Sequence, residues 1–168
     1  MKFKNIVITL SAIAFCFSCS TNPFTGEQTM ALVPNSQLFP SAFAQYNQVL
    51  AESNVEKGTA RADMIVRVGK RIAVAAERWL NANGYEGYLN DYKWEYNLIN
   101  DKTVNAWCMA GGRMAIYTGL LEQLKPTDDE LAQVMGHEIS HALAKHTAEK
   151  MSMQIATSVG IAVVGIAS

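Results

Sequence analysis

Residues 137–141 read His-Glu-Ile-Ser-His, two imidazoles four positions apart with a carboxylate directly after the first. In an α-helix, positions four apart differ by about 40° in direction and about 6 Å in height. His137 and His141 then point the same way and can share one ion at the roughly 2.0–2.1 Å that zinc takes from nitrogen. Glu138 falls about 100° round the helix from His137, on the flank of such a site, where a carboxylate can accept a proton from water without taking a coordination position. This is the pattern of zinc-dependent peptide hydrolysis; the competing reading is a surface helix carrying a chance pair. The surroundings favour the metal, because Val134, Met135, Ile139, Ala142 and Leu143 line a stretch in which unpaired polar groups are costly to bury. Gly136 lowers helix propensity by roughly 1 kcal/mol, which predicts that another element, such as a strand, packs closely there.

The helix that must carry these residues has a clear start. Thr127 followed by Glu130 forms a capping box, and Asp128 and Asp129 place negative charge where the helix dipole favours it, so helix is expected from about Asp128 and past Lys150. His146 is nine residues after His137, about 180° round that helix, and reads as a surface or packing residue. Catalytic zinc usually has three protein ligands. Glu149 is about 12 Å along the axis from His141, and Glu122, Asp128, Asp129 and Glu130 all precede the motif near the helix start, so none completes the set.

Upstream, helical periodicity runs from about Ser41 to Leu50 and from Thr59 to Asn83, where Met64, Ile65, Val68, Ile72, Ala75, Ala76, Trp79 and Leu80 recur at three- and four-residue steps. Asn83-Gly84 closes the second helix. In Tyr92–Ile99 the period changes to two, with Trp94, Tyr96 and Leu98 alternating against Lys93, Glu95 and Asn97, as in a half-buried strand. Val104–Met109 and Arg113–Thr118 read as further strands joined through Ala110-Gly111-Gly112. A small antiparallel sheet is therefore expected before the last helix, in an α+β domain.

The start of the chain has a different character. Lys2 and Lys4, the apolar run from Ile6 to Phe17 and the small residues after it form the three-part pattern of a secretory signal, too short to span a bilayer permanently. Cys19 after Ser18 resembles the lipidation site of bacterial lipoproteins, with a cleaved soluble export signal as the alternative. The expected organisation is a signal peptide over 1–18, a lipidated tether over 19–40 and a metalloprotease domain over 41–168. Lipidation would anchor the protein to a membrane. With Cys19 modified, Cys108 has no partner for a disulfide, and it reads as a buried thiol more readily than as a nucleophile. Net charge is -1, with 14 basic and 15 acidic residues spread without blocks, which excludes nucleic acid as a partner.

Taken together, NPFTGEQTMALVP, VNAWCMAGGRMAIYTGLL and DDELAQVMGHEISHALAKHTAEKMS resemble the bacterial lipoprotein members of the HtpX-like, CAAX-prenyl-protease-type family of zinc metallopeptidases. The resemblance implies a zincin-like (gluzincin) fold, one Zn2+ per chain held by His137 and His141, and Glu138 as general base. It also implies that Asn105, Ala106 and Trp107 form an edge on which substrate is aligned as an added strand. Ala110 stands where relatives commonly have proline. The family's third ligand is a glutamate several tens of residues after the histidines, so it is expected beyond Ser168, in a longer protein of which this chain, ending in the apolar GIAVVGIAS, is the amino-terminal part.

Two functions follow as expectations. One is an endopeptidase of the bacterial cell envelope, facing the periplasm and acting on unfolded or membrane-associated proteins. The other is an inactive truncated lipoprotein or client-binding module that lacks the third ligand.

Overall fold

The computed structural model describes residues 19–30 and 32–167; the expected signal peptide over 1–18 lies outside them. The chain divides into two compact units, one being Asn35–Lys145 and the other combining the segments before Asn35 and from His146 onward.

The larger unit holds helix α1 (Asn35–Glu52), strand β3 (Val55–Glu56), helix α2 (Ala60–Ala82), strands β4 (Glu95–Ile99), β5 (Ala106–Met109) and β6 (Arg113–Tyr117), and helices α3 (Thr118–Leu124) and α4 (Asp128–Leu143). The fold is α+β. Its sheet runs in the order β3-β4-β6-β5. β3 pairs antiparallel with β4, and β5 with β6, but β4 and β6 are parallel, which corrects the expected all-antiparallel sheet. The reason is topological: β5 lies at the far edge, and the tight turn after it returns β6 into the slot between β5 and β4.

That turn is the Ala110-Gly111-Gly112 loop, closed by the Gly112 N–H donating to the Met109 carbonyl at 3.1 Å. Both glycines have positive φ, +85° and +89°, where L side chains are disfavoured. A Cβ on Gly111 would also lie 2.6 Å from the Phe43 ring, and one on Gly112 2.7 Å from Trp94.

Side chains alternate across the sheet. Trp107, Met109, Ala115 and Tyr117 face α1, where Tyr46 is fully buried and meets Trp107 edge-on at 5.7 Å. The Tyr46 hydroxyl donates to the Met114 carbonyl at 2.8 Å. The opposite face of the sheet meets α2 and α4. There Tyr96 lies against Gly69 of α2, so closely that a Cβ on the glycine would be 2.3 Å from the ring, and the phenol donates to the Gly69 carbonyl at 2.8 Å.

α1 begins at Asn35, six residues before the periodicity suggests, and carries Pro40 internally. α2 starts after Thr59, whose hydroxyl accepts from the Ala62 N–H, and closes at Asn83 as expected. The short α3 has no counterpart in the sequence reading; Lys125 ends it in the left-handed conformation.

In the second unit, β1 (Cys19–Thr21) and β2 (Gln28–Met30) form a hairpin within the expected tether, and helix α5 (His146–Ala167) packs against β2. The buried Ser152 hydroxyl accepts from the Leu32 N–H at 2.9 Å and donates to the Ala148 carbonyl. Among the described residues no helix is long and apolar enough to cross a membrane.

Candidate functional site

α4 is positioned from both ends and along its buried face. At its start the Thr127 hydroxyl accepts from the Glu130 N–H, and the Glu130 carboxylate accepts from the Thr127 N–H at 2.8 Å. That backbone donor, with the Thr127 hydroxyl, holds the Glu130 carboxyl below its ordinary pKa. Arg67 of α2 reaches the Asp128 carboxylate with Nε at 3.0 Å and Nη2 at 2.9 Å, a forked contact that joins the two helices where α4 begins. Leu131, Met135 and Ile139 are essentially fully buried beneath the helix, a burial of roughly 1.5–3 kcal/mol for each side chain.

At the other end two tyrosines hold the last carbonyls. Tyr92 donates to the Ala142 carbonyl at 3.0 Å and Tyr88 to that of Leu143 at 2.8 Å. Sequence reasoning did not single out either; both come from the segment between α2 and β4, and the only signal was an unusual density of tyrosine over residues 85–96.

The helix stops at Leu143, short of the expected run past Lys150. Lys145 adopts φ 57° and a new helix starts at His146. The Lys145 ammonium lies 4.6 Å from the centre of the Tyr88 ring, a tertiary contact that stabilises the break. His146 is thus on a separate helix, and the helical offset that set it aside does not apply.

The histidine pair converges. The Nε2 atoms of His137 and His141 are 3.2 Å apart, with the rings nearly perpendicular and their centres 4.7 Å apart. Two nitrogens each roughly 2.0–2.1 Å from one tetrahedral ion lie about 3.3–3.4 Å apart, so the pair fits a single zinc without rearrangement. Among the described residues no group of three or more His, Cys, Asp or Glu is placed to hold a metal. Both histidines are exposed and Glu138 is half-buried, so the expected cost of burying the imidazoles is not what constrains them. Gly136 also departs from expectation: a Cβ there would meet nothing within 4 Å, so no strand packs against it.

Glu138 lies on the helix that packs on β5, and its charge acts on Cys108 of that strand. The Cys108 thiol is pushed up to about 12, chiefly by burial and then by the negative charge of Glu138. A thiol raised in this way holds little thiolate near neutral pH, which favours a packing role for this half-buried residue over a nucleophilic one.

β5 is the edge strand, so the expected substrate-binding residues lie on the border of the sheet beside α4. The Tyr117 N–H donates to the Asn105 carbonyl at 3.1 Å. By the alternation of an antiparallel ladder, the main-chain groups of Ala106 and Cys108 then point away from β6. The Asn105 side chain accepts from the Ala106 N–H at 2.9 Å and covers one of these groups. Trp107 is different: its side chain lies on the α1 face, with Nε1 donating to the Tyr117 hydroxyl at 3.3 Å. Only its backbone belongs to the edge.

The helix that carries His137, Glu138 and His141 thus packs on an edge strand of a small mixed sheet. Residues 61–168 match Peptidase family M48, and the chain belongs to that family. Metalloprotease YcaL of Escherichia coli is 31% identical over 163 residues, covering 93% of this chain and 60% of YcaL. The mitochondrial metalloendopeptidase OMA1 of Arabidopsis thaliana is 38% identical over 74 residues, 44% of this chain and 15% of that protein. Metalloprotease LoiP of Escherichia coli is 34% identical over 77 residues, 46% of this chain and 30% of LoiP. The chain therefore spans less than two thirds of the length of each of these relatives.

Proposed function

We propose that this chain carries the catalytic helix of a zinc-dependent endopeptidase with a zincin-like site, in which His137 and His141 hold the metal and Glu138 is the general base. The observation that carries the reading is the 3.2 Å approach of the two Nε2 atoms on a helix that packs against the edge strand β5. Bound between the imidazoles, zinc would supply a Lewis acid for the scissile carbonyl and ease deprotonation of water at neutral pH. The chain's own residues supply the rest. Glu138 takes a proton from the attacking water and returns it to the departing amine. The outward main-chain groups of Ala106 and Cys108 align an extended substrate segment as an added strand, which presents successive peptide bonds to the site in one register. Asn105, as the side chain on the Ala106 N–H, yields that donor when substrate pairs there.

The natural setting that fits is the bacterial cell envelope. Cys19 would carry the lipid that anchors the protein on the periplasmic side, and the substrates would be unfolded or membrane-associated proteins. The signal-like leader and the position of Cys19 after Ser18 support this reading.

The test is Glu138→Gln in the whole protein. The amide keeps the size and leaves the histidines untouched, so zinc content should equal that of the parent while casein cleavage falls at least about 100-fold, the scale of general-base catalysis. Unchanged turnover in the zinc-loaded variant would remove Glu138 from this role.

A further inference from the structure

We propose that the groove between α2 and α4 is a docking site for an amphipathic helix with acidic flanks, presented by a partner polypeptide. The apolar stripe of α2 runs from Ile65 and Val68, which are buried, through Ile72 and Ala75 to Trp79, which is 43% exposed. Leu80 at the end of the helix is buried again, so the apolar surface left open is the middle stretch around Ile72, Val74 and Ala75, of which Val74 is 45% exposed. Apolar surface arranged in this way marks an interaction site.

This open stretch is concave. Val68, Ile72 and Ala75 of α2 and Ala132 of α4 line a groove of about 600 Å³. From Val68 to Arg78 it follows about 15 Å of helix axis, close to three helical turns. The small side chains of Ala75 and Ala132 let another backbone approach, and the open space at Gly136, one turn beyond Ala132, continues the same face of α4. A helix laid between two helices fits this shape better than an extended strand, because the residues lining the groove include no strand to pair with.

Charge selects the occupant. Lys70, Arg71 and Arg78 line the groove against the single carboxylate of Asp129, in a chain whose net charge is -1. Positive charge is therefore concentrated here rather than general, and acidic residues flanking the partner's apolar face would meet it. The surface is separate from the chemistry of the histidine pair, and docking does not require metal.

The test uses a fluorescein-labelled peptide of about four helical turns, with leucines on one face and glutamates flanking them, and a counterpart in which lysines replace the glutamates. Anisotropy titrations should show saturable binding of the acidic peptide, at least about tenfold tighter than the basic one and weakening as salt is raised. Arg71→Glu with Arg78→Glu should reverse the preference, whereas Arg71→Lys with Arg78→Lys should keep it. Ala75→Glu should abolish binding while circular dichroism stays unchanged. Equal binding of the two peptides, absence of saturable binding of either up to about 1 mM, or full binding by a folded Ala75→Glu chain would overturn the proposal.

Discussion

Tyr92→Phe removes one hydroxyl from beside the end of α4 and nothing else. The ring would keep its edge-on contact with Phe39 at 5.2 Å and its packing beside Trp94 at 5.4 Å. What is lost is the donor to the Ala142 carbonyl, which also accepts from the Lys145 N–H at 3.2 Å. That carbonyl keeps one partner, so the cost is that of a net hydrogen bond, about 0.5–1.5 kcal/mol, and not the larger penalty of an orphaned group. Tyr88→Phe takes the hydroxyl from Leu143, but Tyr88 is half-buried and water can replace it, which puts the cost at the lower end of the same range. The two carbonyls are adjacent in one helical turn, so the double variant should show coupling as well as a sum. Urea unfolding followed by far-ultraviolet circular dichroism at pH 7 reads these values directly. The phenols also make an alkaline prediction. Burial pushes Tyr88 up to about 12 and raises Tyr92 as well. A phenol in the unfolded chain titrates near 10. Each phenol's contribution is therefore complete below about pH 10; that of Tyr88 is lost as pH rises from there through about 12, and that of the more deeply buried Tyr92 is lost higher still. The double variant should lose less stability over that interval than the parent. A double variant as stable as the parent at pH 7, or one that declines as steeply above pH 10, would refute the idea that these hydroxyls hold the end of the helix.

Three further outcomes are expected. Cys108 should react with iodoacetamide at pH 8 at least about a hundredfold more slowly than a free thiol, because a group pushed up to about 12 holds almost no thiolate there, and urea should restore the rate. Zinc added to the chain should be removed by dialysis against metal-free buffer and should not bind at all after His137→Ala, since two imidazoles hold less tightly than a full ligand set; one zinc per chain surviving dialysis would reveal a third ligand among these residues. Gly136→Ala should stabilise the protein by about 0.5–1 kcal/mol in a urea titration, because the helix gains propensity and the new methyl meets nothing; destabilisation would show that something does pack against that face.

What the sequence disclosed and what it concealed divide along the range of the forces involved. The capping box at Thr127, the convergence of His137 and His141 and the glycine turn at 111–112 are set by residues within a few positions of each other, and each is visible in the order of the letters. The parallel pairing of β4 with β6 is not, because alternation shows which face a strand presents but not which neighbour it takes. Nor was the end of α4. No glycine or proline marks it, and Lys145 is held in a left-handed conformation while its side chain lies over a tyrosine more than fifty residues earlier. The two failures bear differently on function. The sheet topology leaves β5 at the border, where the family resemblance expected it, so the edge and α4 still meet. The early stop changes the argument about His146, which a continuous helix would have carried to the side opposite His137. Its role is now a question of how α5 is placed, and the periodicity of residues 128–150 has no bearing on that. The site is therefore local in its chemistry and tertiary in its support. The spacing of two histidines and a glutamate carries the proposed chemistry, while Tyr88, Tyr92 and Arg67, all distant in sequence, hold the two ends of the helix that bears them.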